Sequence, residues 1–360
     1  MAMDLRDFVV HTDYLPQREL FVTCFPDHRG RTQSTHEHFQ WKFHSAASVP
    51  PSEQFVAVDG QALLGYYAAI PVVYTYGGNR YAGALVCDVM TSPAARGRGV
   101  FTFLGRHATQ ELANRSYDFT TGYPIRKAVI PGHKKVGWQL LFPLLLHVRV
   151  LNPGAVLGAM GWIRTGTLIS WLQRAVQRMP LPHGMQWADQ REYAVYSSDT
   201  TAKNWVEELT ALSSAYTAEV PIALEKSASF LRWRLGGPDA TYDIHFLRHR
   251  SENVGYAITR LETRQGIRVV GVIDVFVKEA HRHQSRMLLR TIVSHARALD
   301  VDVVTIMASG HQARAYGFIR AGILPTPLRY TFIVKELNRL PAGAADVRNW
   351  QLNWIDTDIF

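Results

Sequence analysis

The chain has 360 residues, 47% of them hydrophobic, which is enough for two cores of ordinary size. Its 39 Lys and Arg against 30 Asp and Glu leave a formal charge of +9. That charge is spread along the sequence, without zinc-finger spacing, an RNA-recognition signature or a basic recognition helix, so it suits a polyanionic small ligand better than nucleic acid. Cys24 and Cys87 are too few for a disulfide framework. No uncharged apolar run reaches the roughly 18 residues of a membrane span, and no basic-then-apolar export signal opens the chain, so a cytoplasmic protein is expected.

In chain order, a strand and a helix come first, the helix near Pro16 to Cys24. Phe39-Gln40-Trp41-Lys42-Phe43 reads as an amphipathic turn carrying a Trp-basic pair. Alternation and β-branched content predict strands at 54–59, 62–76 and 80–90. Next comes Asp88-Val89-Met90-Thr91-Ser92-Pro93-Ala94-Ala95-Arg96-Gly97-Arg98-Gly99-Val100-Phe101, which leads into a predicted helix over 100–114. A strand, a Gly/Arg turn and a helix start in that order make a phosphate cradle. Glycines allow close backbone approach, the first helical N–H groups favour anions, and arginines add charge-assisted bonds. A short strand at 117–121, the run Gly122-Tyr123-Pro124, a helix ending at Gly137-Trp138 and a strand at 139–150 follow.

The second half repeats this pattern. Trp41, Gly65, Asp88 and Gly137 are separated by 24, 23 and 49 residues; Trp233, Gly255, Asp274 and Gly322 are separated by 22, 19 and 48. Ordered matches at near-equal spacing predict a duplicated domain. Its strands fall at 241–249, 253–263 and 267–277, its helix at 285–299, and its last strand at 327–336. Opposite the Gly/Arg loop stands Lys278 to Arg286, where His283 and Ser285 replace Gly97 and Gly99. Their side chains obstruct a pyrophosphate, so one cofactor site is expected, in the first half, with the second half shaping the acceptor cleft. His281 and His283 lack ligand-like spacing to Cys or carboxylates, and no metal is expected. Breakers at Asn152-Pro153-Gly154 and Met179-Pro180 bracket a predicted helix, Ala155 to Arg178. It is read as packing between domains, with a membrane-surface helix as the alternative. The predicted division is 1–151, a helical linker 152–185, a degenerate copy 186–338 and a tail 339–360.

Arg96, Arg98 and Gly99 resemble the Arg/Gln-x-x-Gly-x-Gly/Ala pyrophosphate loop of the GCN5-related N-acetyltransferases (GNAT), with Phe101 where a small residue is usual. The Trp-basic turn, Gly122-Tyr123-Pro124 and the tail Asn349-Trp350-Gln351-Leu352 through Asp358 resemble two-lobed acetyltransferase-like proteins encoded with polysaccharide and lipid biosynthesis genes. The resemblance implies a mixed α/β tandem of GNAT-like domains, each a twisted, mostly antiparallel sheet flanked by helices. It implies acetyl-CoA or another acyl-CoA as co-substrate, held by Val89, Met90, Thr91, Arg96, Gly97, Arg98, Gly99, Val100 and Phe101. It also implies an N-acyltransferase that acts directly on a small amine such as an amino sugar or amino acid derivative.

A backbone N–H near Val89 to Thr91 would polarise the carbonyl. Asp88 is the candidate base, although Asp274 occupies its place in the half without the loop. His133 stands four residues before Gly137, where relatives place a Tyr as general acid, and Tyr123 is its rival. Cys87 is read as a buried apolar residue. The other classes the sequence leaves open are a non-catalytic CoA-binding scaffold and an acyltransferase fed by acyl-carrier protein. The oligomeric state is open.

Overall fold

Helix α3 (Val100–Asn114) forms where the sequence predicts it, because Val100, Leu104, Ala108 and Leu112 fall at every fourth position and all are buried against the sheet. In this computed structural model, residues 3–44, 50–159, 192–201, 204–238 and 240–358 are described. Of the predicted helix 155–178 only 155–159 lies among them, inside the observed helix Pro153–Ala159; the rest, with most of the linker 152–185, lies outside the described residues.

The chain folds as two compact units, each assembled from separate stretches of sequence. The first holds residues 1–143, 220–240 and 330–350. Its strands are β1 (Asp4–Asp7), β2 (Glu53–Asp59), β3 (Ala62–Tyr76), β4 (Asn79–Thr91) and β5 (Phe119–Gly122). They lie in the order β1-β2-β3-β4-β5, and β5 then pairs with residues 333–336 of β13 (Leu324–Glu336). All these pairings are antiparallel except the parallel β4–β5 pair. Helices α1 (Val10–Cys24), α2 (His36–His44) and α4 (Ile130–Val136) complete it with α3. The Trp-basic segment is thus the helix α2 rather than a turn.

The second unit holds residues 144–219, 241–329 and 351–360. Its sheet runs β7 (Tyr193–Asp199), β9 (Asp243–His249), β10 (Glu252–Arg264), β11 (Ile267–Val277), β12 (Val303–Ala308), then residues 145–150 of β6 (Gln139–Val150). Here too a single pair, β11–β12, is parallel among the described residues. The helices are α5 (Pro153–Ala159), α6 (Trp205–Glu219), α8 (Ser285–Ala298) and α9 (Gly310–Ala315). The remaining elements, β8 (Ala223–Leu224) and α7 (Ala228–Leu235), belong to the first unit. No helix among the described residues is long and apolar enough to cross a membrane. The fold is the expected mixed α/β tandem with mostly antiparallel sheets.

The units exchange their last strands, so they do not follow the contiguous division at 151, 185 and 338. Strand β6 of the first half closes the second unit's sheet, and β13 of the second half closes the first unit's sheet. Two matching clamps hold the exchange. The carbonyl of Asp118 accepts the N–H groups of Leu337, Asn338 and Arg339; the carbonyl of Asp302 accepts those of Leu151 and Asn152. Each aspartate carboxylate also takes a strand N–H, Ala82 to Asp118 and Arg268 to Asp302. A basic residue on each exchanged strand then caps a helical end whose last carbonyls lack partners: Lys335 Nζ donates to Val136 O at 2.7 Å, and Arg149 to Ala321 O at 3.3 Å. The following residues, Gly137 and Gly322, sit at φ +97° and +74°, the left-handed region that favours glycine. Within the first unit, α2 and α7 are tied reciprocally. Trp41 Nε1 donates to Trp233 O and Trp233 Nε1 to Trp41 O, with the rings stacked at 5.9 Å.

Candidate active site

Strand β4 carries an irregularity at its centre. Cys87 pairs with Ala68 and Met90 with Tyr66, so Asp88 and Val89 together oppose Tyr67 alone. This β-bulge puts Asp88 at φ +47°, a left-handed conformation that costs a non-glycine residue about 1 kcal/mol or more. In the second unit the extra residue is Ile273, opposite the Ile258/Thr259 step, and Asp274 is not left-handed. Beside the bulge, pairing of β4 with β5 ends at Val86–Gly122 while β4 runs on to Thr91. Strand β5 itself ends at Gly122, so the β4 segment that contains Val89, Met90 and Thr91 runs past its parallel neighbour. Thr91 Oγ1 is buried there without a hydrogen-bond partner among the described residues.

The cradle follows directly. Pro93–Ala95 form a single 3₁₀ turn, and both Gly97 and Gly99 adopt φ +78°. A Cβ on Gly97 would meet open space, whereas one on Gly99 would lie 2.8 Å from the Phe103 ring. The N–H groups of Gly97, Gly99, Val100 and Phe101 donate to no group among the described residues, while Thr102 and Phe103 already bond to Gly99 O. Four free donors at the start of a 15-residue helix match an anion such as a pyrophosphate. Arg96 is exposed and has no carboxylate partner among the described residues; Arg98 reaches Asp59 at 3.6 Å. These features fit the phosphate end of an acyl-CoA. The corresponding turn of the second unit contains no left-handed glycine, and the Glu219 carboxylate accepts its first N–H, that of Glu279, at 2.8 Å.

Phe101 explains its own departure from a small residue. Its ring lies against Gly132, where a Cβ would stand 2.6 Å away, and edge-on to His133 at 5.1 Å. His133 packs on Trp138 as well, and burial pulls its pKa down to about 4. The imidazole is therefore neutral near pH 7. Tyr123 follows β5 directly, is 5% exposed, and packs against Phe332. Cys87 is buried, in keeping with its apolar reading.

Asp88 is joined by partners that the motif did not reveal. Lys42 Nζ of α2 donates to Asp88 Oδ1 at 3.0 Å, with both side chains about nine-tenths buried. Oδ2 accepts no hydrogen bond among the described residues. Burial pulls His38 down to about 3, with Lys42 adding to the effect. Burial also lowers Arg18, opposed by the charges of Asp88, Tyr66 and Tyr14. Tyr66 is raised by burial and by Asp88, and its hydroxyl donates to Gln54 Oε1 at 2.7 Å. The second unit resolves the same pair differently: Tyr256 donates straight to Asp274 Oδ2 at 2.7 Å, and Val275 N–H caps Oδ1. Both oxygens of Asp274 are thus occupied and the residue is fully buried, while Asp88 keeps one oxygen open. The signal for Lys42 lay in the Trp-basic repeat; Arg18 and His38 carried none, because only the packing of α1 and α2 on β3 and β4 brings them there.

Residues 10–141 match the family described as the acetyltransferase (GNAT) domain. No curated protein sequence matches the chain. Among solved structures, a GCN5-related N-acetyltransferase from Anabaena variabilis is similar at TM-score 0.63 and 14% identity, covering 94% of this chain and 73% of that one. A probable N-acyltransferase of unknown function from Enterococcus faecalis is similar at TM-score 0.60 and 12% identity, with the same coverages. N-myristoyltransferase from Saccharomyces cerevisiae, solved with myristoyl-CoA, is similar at TM-score 0.63 and 10% identity, covering 93% of this chain and 79% of that one. At these identities the structures establish the two-lobed fold, and the sequence match establishes the domain. The sequence match thus gives residues 10–141 an acetyltransferase (GNAT) domain, and the fold of the whole chain is similar to that of two-lobed GNAT N-acetyltransferases.

Proposed function

We propose that the first unit transfers an acyl group, acetyl by default, from acyl-CoA directly to a small primary amine, in the cytoplasm where acyl-CoA is made. The observation that carries this reading is the set of four N–H groups, of Gly97, Gly99, Val100 and Phe101, without partners among the described residues, at two left-handed glycines that follow a bulged strand running past the end of its parallel neighbour. The loop donors with Arg96 and Arg98 hold the pyrophosphate. The β4 backbone between Val89 and Thr91 donates to the thioester carbonyl, where negative charge develops. The amine nitrogen attacks that carbon, the N–C bond forms, and the C–S bond breaks. Asp88 Oδ2, steadied by Lys42 on Oδ1, takes the amine's proton directly or through water. Tyr123 returns a proton to the departing thiolate. A neutral His133 is a weak donor, so its proposed part is to fix Phe101 and the start of α3.

The cofactor site is proposed for the first unit alone, because the turn of the second unit lacks the glycines and offers its first N–H to Glu219. Thiol release from acetyl-CoA in the presence of a panel of amines tests the function. Release that depends on the amine supports transfer, whereas CoA binding without release under every amine favours a non-catalytic CoA-binding scaffold. Running the same panel with acyl-carrier protein as donor tests the remaining alternative.

A further inference from the structure

Arg18 is a half-buried guanidinium without an ion-pair partner among the described residues. Its Cζ lies over the rings of Phe21 and Phe39, at 4.6 and 4.8 Å. Nε donates to Gln17 Oε1 at 2.7 Å, and Nη1 reaches Gln33 O at 3.4 Å. Of five N–H donors, three are left uncommitted among the described residues. Gln17 supplies the second observation. It is fully buried, and its Nε2 has no hydrogen-bond partner among the described residues. An arginine can only donate, so the amide oxygen must face Nε and the amide nitrogen is the atom left over. Amide geometry puts that nitrogen within about 5 Å of Arg18 Nε. A buried charge and a buried orphan donor side by side are costly unless an acceptor joins them.

We propose that Arg18 and Gln17 bind a carboxylate on the amine acceptor, so that the acceptor is an amino acid-like molecule rather than an amino sugar. The inference rests on the acyltransferase reading, which makes the surroundings of Asp88 the acceptor's place. Arg18 lies over Phe39, one turn of α2 from the Lys42 that holds Asp88, and the charge of Asp88 acts on it. Lys42 is engaged with Asp88 and His38 is neutral, which leaves the Arg18 guanidinium as a cation without an ion-pair partner among the described residues. One charge matches a carboxylate; a phosphate dianion would remain half-neutralised, and an amino sugar such as glucosamine brings no anion to pair with Arg18.

The test uses the full chain with acetyl-CoA and the common amino acids, each beside its carboxamide, with glucosamine as the amino sugar. Wild type is expected to favour acid over carboxamide by roughly tenfold or more in kcat/KM, as for loss of a charge-assisted bond. In Arg18→Met, which keeps contact with the two rings, and in Gln17→Leu, that ratio is expected to fall towards one. A ratio is used because general damage lowers both substrates together. An equal response to acid and amide in wild type, a preference for glucosamine, or an unchanged ratio in Arg18→Met overturns the inference while leaving acyl transfer intact. Calorimetric titration of the same pairs onto CoA-saturated protein separates the opposite case. Acid-selective binding lost in Arg18→Met without any turnover keeps the anion site and sinks the transfer reading; no acid-selective binding and no turnover sinks both.

Discussion

His133 shows how burial changes a side chain's chemistry. Its folded pKa of about 4 lies below the ordinary 6.5, so between these values the unfolded chain binds the proton and the folded chain does not. This contribution to stability is intact above pH 6.5 and is lost as pH falls towards 4, by on the order of 3 kcal/mol in all. His133→Phe should therefore flatten the fall of unfolding free energy between pH 6.5 and 4, read by urea denaturation across that range. An unchanged slope would mean that the imidazole is not desolvated. The Lys42–Asp88 pair makes a different prediction. Removing one partner strands a charge in a site nine-tenths buried, so Lys42→Met should cost about 3 kcal/mol. Adding Asp88→Asn should restore much of it, and the double-mutant cycle measures the coupling. In activity, Asp88→Asn should lower kcat by about 10² or more, with partial recovery at high pH, where solvent deprotonates the amine. A uniform loss at every pH would leave Asp88 as a positioning group only.

At the scale of elements, the Gly/Arg turn and α3 separate two effects of glycine. Gly97 and Gly99 share φ +78°, but only a side chain at Gly99 collides with Phe103. Gly97→Val should abolish CoA binding by blocking the donors, at a stability cost of about 1–2 kcal/mol from backbone strain. Gly99→Val should lose binding and also melt earlier than Gly97→Val, because Phe103 must move. Calorimetry with CoA and thermal melts check both; tight CoA binding by Gly97→Val would remove the loop from the site. The boundaries of α3, β3 and β11 were legible because their apolar periodicity is long and regular. The Trp-basic segment is a helix where the sequence predicts a turn, because nine residues with mixed aromatic and charged side chains give a weak helical stripe. That helix is fixed by Phe39 and Phe43 in the core and by the Trp41–Trp233 exchange of hydrogen bonds.

At the scale of the molecule, the exchanged strands set what can fold alone. A fragment of residues 1–151 lacks β13, the partner of β5, and lacks Trp233, β8 and the Arg339 contact to Asp118. It should show no cooperative melt by itself, and co-expression with residues 152–360 should restore one. A fragment that melts like the full chain would mean that β13 is dispensable to the first unit. The duplication itself was legible in the sequence, because Trp, Gly, Asp and Gly anchors recur at near-equal intervals. So was the Gly/Arg turn, because a left-handed turn position favours glycine. The strand exchange was not: each closing strand has the same pattern whichever sheet it joins, and only the pairing with β5 or β12 decides. For the same reason the sequence determined Asp88 as a candidate but not its circumstances. The bulge is set by the β3–β4 ladder, and the ion pair with Lys42 and the packing of Arg18 against Phe39 arise when α1 and α2 meet a strand distant in sequence, where burial sets which groups are charged.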